Sequence, residues 1–77
     1  MNNQRRKIIN AAIAKLTEAG ETIGEVLDEE QDAFDNLPES IQAGDHGDAM
    51  ETAISILESA LPMFEQLADE LAEATQT

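Results

Sequence analysis

The sequence has no cysteine, tryptophan or tyrosine, a single histidine, and no lysine or arginine beyond Lys15. Each absence removes a class of protein. Without cysteine there are no disulfides and no thiolate metal sites to hold a small chain together. One histidine, His46, rules out any site that needs two. The longest apolar run falls far short of the ~18 residues of a membrane span. The basic start, MNNQRRKIINAAIAKL, faintly echoes a signal peptide, but Asn10 and Lys15 interrupt its apolar part and no cleavage-like site follows. The expectation is a soluble, cytoplasmic protein without a membrane partner. Seventy-seven residues allow one domain, and an isolated hairpin of this size is marginal. Self-association is the remaining route to a larger core.

What the sequence has in excess is acid. Seventeen Asp and Glu face four cations, for a net charge of −13. Arg5, Arg6, Lys7 and Lys15 all precede the first acidic residue. Such a balance keeps a protein soluble but destabilises it by self-repulsion. Acidity with few aromatics also marks disordered chains, yet the apolar residues here are too regularly spaced for that.

A seven-residue repeat runs through residues 5–37. With Ile13 as position a, the a positions are Ile13, Gly20, Leu27 and Phe34. The d positions are Ile9, Leu16, Ile23, Glu30 and Leu37, and the g positions are Ala12, Ala19, Val26 and Ala33. An a/d/g stripe is wider than a dimeric seam and suits a bundle. One helix is predicted over about 3–34. Gly20 and Gly24 cost it roughly 1 kcal/mol each relative to alanine. Gly20 lies on the stripe, where close helix approach compensates; nothing in the spacing accounts for Gly24.

Residues 35–47 read as a bend. Asn36 is placed to cap a fresh turn with Glu39 three later, and Pro38 suits its first turn. Gly44 ends that turn, and Asp45 is placed to cap the second long helix, with Asp48 in its first turn. Phe34, Leu37, Pro38 and Ile41 are expected to cluster over the bundle end. The second helix is predicted over about 48–75. With Met50 as a, its a positions are Met50, Leu57, Phe64 and Leu71; d holds Ala53, Ala60, Leu67 and Ala74; e holds Ile54, Leu61 and Ala68. Pro62 falls at f without shifting the phase, so one helix bent convex to water is expected.

The fold class that follows is all-α: an antiparallel helical hairpin that dimerises into a four-helix bundle. The expected core is Ile9, Ile13, Leu16, Ile23, Leu27, Phe34, Leu57, Leu61, Phe64, Leu67 and Leu71. Gly20 falls opposite Phe64, a large-to-small fit. Arg5, Arg6 and Lys7 fall beside Asp69, Glu70 and Glu73, where exposed pairs are worth ~0–1 kcal/mol each.

Glu18, Glu21, Glu25, Asp28, Glu29, Asp32 and Asp35 occupy b, c and f of the first helix and form an outer acidic ridge. Neighbours at this spacing lie ~5–6 Å apart and repel, and no lysine interleaves. A solvated face is the bland explanation. The sharper one is a surface that imitates a phosphate backbone for a basic cleft. Glu30, the lone carboxylate at d, sits near the bundle end, within reach of water. Asp45-His46-Gly47-Asp48 lacks the pattern of a calcium loop or a Glu-x-x-His di-iron pair, so helix capping suits it better, and no metal or other cofactor is implied. The basic segment is outweighed by the acids, which argues against direct nucleic-acid binding. No phosphate loop, activated nucleophile or catalytic carboxylate pair stands out; a non-enzyme is expected.

The run Glu29–Gln42, then Gly47-Asp48-Ala49-Met50-Glu51, resembles short acidic helical-hairpin proteins of tailed phages and prophages. The match covers about a quarter of the chain closely and the whole chain in layout. His46 stands where those proteins often have arginine. The resemblance implies a phage accessory protein acting in the host cytoplasm. By analogy with small acidic phage proteins, it would inhibit a host nucleic-acid-binding or defence protein, of anti-CRISPR or anti-restriction type. Two alternatives stand beside it: a structural module acting only through helical oligomerisation, and a small-nucleotide sponge with Arg5, Arg6 and Lys7 converging across an interface.

Overall fold

A computed structural model describes residues 1–77. Two long helices, α1 (Asn3–Asp35) and α3 (Asp45–Ala74), are joined by a single short turn of helix, α2 (Glu39–Gln42). α1 and α3 pack along each other in an envelope of 58 × 14 × 12 Å.

The start of α1 is set by Asn2, whose side chain accepts from the Arg5 backbone N–H at 2.8 Å. This satisfies one of the orphan donors of a helix end. Asn36 closes α1 as its C-cap instead of opening the next turn, so the capping box expected there does not form. Pro38 precedes α2, without a side-chain cap. α3 begins at Asp45, three residues before the expected boundary, and Gly44 takes the N-cap position. Asp45 is therefore inside the helix. It and Asp48 still place negative charge in the first turn, where the helix dipole favours it.

The joint is held at Gln42. Its Nε2 donates at 2.9 Å to the Phe34 carbonyl, which also accepts from the Leu37 backbone N–H, so two donors hold the end of α1. On its other side, the backbone of Gln42 lies directly against the buried Gly47 of α3. The expected apolar cap over this end is only half made: Phe34 and Leu37 are half-buried, while Pro38 and Ile41 are exposed.

Gly20 meets Phe64, and a methyl at Gly20 would lie 3.2 Å from the Phe64 Cβ. From that pairing, each step down α1 matches a step up α3. Ile23 then falls level with Leu61, Leu27 with Leu57, Leu16 with Ala68 and Ile13 with Leu71, and all of these are half-buried. α3 runs unbroken through Pro62, which faces water. At the open end, the Arg6 Nε donates to the Thr75 carbonyl at 2.8 Å and its Nη1 to Asn3 at 3.0 Å. Its guanidinium thus goes to neutral oxygens rather than to the acids of α3.

One expectation about the seam needs correction, and the structure shows which edges a single hairpin leaves open. All of the expected core residues are at least half-buried except Leu67, which is 45% exposed. In α1 the g positions Ala12, Ala19, Val26 and Ala33 are exposed, and Gly24 and Gln31 at e are half-buried instead. The cause lies in α3, whose e edge carries Ile54 and Leu61. In an antiparallel pair like edges share a face, so burying these two draws the e edge of α1 inward and rolls both g edges out.

Gly24, on that inward edge, has nothing within 4 Å of where a Cβ would stand. Gly24→Ala should therefore stabilise the hairpin by about 1 kcal/mol, the ordinary helix penalty of glycine. Urea unfolding followed by helical circular dichroism would show it. An unchanged or lower midpoint would mean that close packing occurs here after all.

Candidate functional site

The e and b positions of the two helices converge on one shallow groove of about 520 Å³. Its floor is Ile13, Gly20, Leu61, Phe64, Ala68 and Ala72, and Thr17, Glu21, Glu65 and Asp69 rim it. The groove lies where α1, lacking a side chain at Gly20, comes close to Phe64. It also fixes the geometry of the charges, because carboxylates from both helices stand over the same depression.

The acidic ridge of α1 runs along this face. Glu18, Glu21, Glu25, Asp28, Asp32 and Asp35 are all exposed at b and f. Glu29 is exposed too, but its c position turns it toward the opposite edge. Gln31 Nε2 donates to Asp35 at 3.0 Å, the only hydrogen bond that a ridge carboxylate accepts. No cationic side chain follows Lys15 in the chain, so from Leu16 onward the row is unrelieved.

The spacing along α1 alone ends the ridge at Asp35. In the folded hairpin a second row joins it: Glu51, Glu58 and Glu65 at b of α3, with Asp48 and Asp69 at f, all exposed. The signal for this row was present in the second heptad. Only the antiparallel pairing shows that it shares a face with the first. No protein family, curated protein or solved structure matches the chain. What can be said of function therefore comes from this geometry.

Other sequence-level candidates lie apart from the groove. Glu30 is half-buried at its d position near the bend. His46 is exposed in the first turn of α3, and no three histidine, aspartate or glutamate side chains come together in an arrangement that could hold a metal ion. Arg5 and Lys7 are exposed at the far end, with Arg6 half-buried between them. No helix is long and apolar enough to cross a membrane.

Proposed function

We propose that this protein is a non-catalytic binding module. Its carboxylate face would engage a basic protein surface of the kind that otherwise holds a nucleic-acid backbone. The observation that carries this reading is the groove, an apolar floor rimmed by Glu21, Glu65 and Asp69 from two helices. Lysine and arginine lay their hydrocarbon stems on apolar surface and keep their charged heads at its edge. Carboxylates at that edge give charge-assisted hydrogen bonds, the bidentate ones to arginine being strongest. In its most specific form, the protein would inhibit a nucleic-acid-binding factor such as a CRISPR effector or a restriction enzyme. Its working unit would be a homodimer, two hairpins closing one four-helix bundle.

The test is charge reversal on the ridge. Glu25, Asp28 and Asp32 are exposed, so changing all three to lysine should leave the helical spectrum intact. Binding to partners captured from lysate should fall by roughly a hundredfold or more, at about 1 kcal/mol per reversed contact. The captured proteins should also be released by high salt and by competing double-stranded DNA. Equal capture by the triple variant would remove the ridge from the interface. Capture that survives high salt would favour the second reading, a structural module acting only through apolar self-assembly, which draws on the exposed g edges of both helices.

A further inference from the structure

We infer that the two g edges form one self-complementary face, on which a second copy of this chain docks with its bend at the opposite end. Only two of 77 residues are buried in the single hairpin, and Ile54 is the only large one. The largest exposed side chains include Ile56 at 62% and Met63 at 65%, with Val26 at 44% and Leu67 beside them. The Gly20–Phe64 pairing sets their order along the molecule. From the bend outward they run Ile56, Val26, Met63, Leu67, with Ala19 between the last two. They interleave from α3 and α1 into one strip.

Charge separates this face from the groove face. The c positions beside it in α1 are Ile8, Lys15, Thr22 and Glu29, and in α3 they include Thr52, Ser59 and Gln66. Along the strip the charges are Lys15 and Glu29, with Glu30 at the seam; Glu70, at g of α3, stands level with Ala14 beside Lys15, and Glu73 follows at c towards the open end. The two carboxylate rows stand on the opposite side. A second copy can therefore approach the strip without meeting them, despite the net charge of −13.

Thr22 lies midway between Lys15 and Glu29, and Met63 lies nearly level with it. A two-fold axis crossing the long direction of the strip at this level sets Met63 against its own counterpart. It sets Ile56 against the second copy's Leu67, and Val26 against Ala19. Lys15 then meets the other copy's Glu29 and Glu30, twice by symmetry. Isologous contacts of this kind are the commonest in homo-oligomers. A Cα envelope 58 Å long and 14 Å wide offers several hundred Å² per copy, the order of the ~800 Å² per partner of a standard interface. The arrangement leaves the grooves on the two outer faces, so the pair would bind basic surfaces on both sides. This inference rests on the proposed dimer and adds its face and polarity.

The test combines native mass with cysteine cross-linking, which the cysteine-free sequence makes clean. Light scattering should give twice the chain mass of 8.3 kDa. Met63→Cys should link two chains by a disulfide in high yield, and Asp28→Cys should not. Ile56→Cys and Leu67→Cys should each link poorly alone and efficiently when mixed. Lys15→Glu or Glu29→Lys should each weaken the dimer about tenfold, and the two together should restore it. A monomer overturns the dimer reading itself. A dimer that links through Asp28→Cys, or fails to link through Met63→Cys, overturns the face and polarity while leaving dimerisation in place.

Discussion

Gly47→Ala should be among the most damaging single substitutions in the chain. A Cβ at this position would collide with the Gln42 carbonyl oxygen and stand 2.6 Å from the Gln42 Cα. Both atoms are backbone, so no rotamer change relieves the clash. Either α2 withdraws from α3 or the first turn of α3 unwinds. Withdrawal also breaks the 2.9 Å hydrogen bond from Gln42 Nε2 to the Phe34 carbonyl. Overpacking costs about 1–3 kcal/mol, and the lost hydrogen bond adds about 1 kcal/mol. The expected loss is therefore about 2–4 kcal/mol by urea unfolding. Gln42→Ala removes the hydrogen bond without the clash and should cost only about 1 kcal/mol. Equal losses for the two variants would show that the clash is not what matters. A Gly47→Ala protein of normal stability would mean that α2 and α3 do not meet as described.

Ile54→Ala should have an effect of the same order. Ile54 is 7% exposed, the one large apolar side chain that a single hairpin buries. Trimming a buried isoleucine to alanine costs about 2–5 kcal/mol, depending on how far the site collapses. A chain of this length has about 4–12 kcal/mol of total stability, so the loss would be a large share of it. Ile56→Ala, two residues along on the exposed g edge, is the useful comparison. In the monomer it should change stability by less than about 1 kcal/mol. If Ile56→Ala proved the costlier change in dilute solution, the helices would be rotated relative to the seam described here.

The hairpin itself was legible because both heptads keep phase over many turns and the bend is marked by Pro38, Gly44 and Gly47. The pairing of Gly20 with Phe64 followed from folding the chain back at residues 39–44. Which apolar edge a single hairpin leaves open was not legible, although the conflict was visible. A stripe of a, d and g in α1 and one of a, d and e in α3 cannot both close within a single antiparallel pair. The bulkier edge, Ile54 and Leu61, takes the seam, and the alanine-rich edge of α1 gives way. Asp45 was expected to cap because aspartate favours that position, but the contact between Gln42 and Gly47 places the helix start at Gly44 and Asp45 one step inside. The acidic ridge was legible along α1 only, since joining it to Glu51, Glu58 and Glu65 requires knowing which sides of two helices face the same way.

The slender outline of the hairpin has a practical consequence for weighing it. Its Cα radius of gyration is 17.6 Å, whereas a rounded chain of this length would have about 11–12 Å. A rod tumbles and diffuses more slowly than a ball of equal mass. One hairpin would therefore leave a sizing column early, at the volume of a heavier globule, and could pass there for a pair.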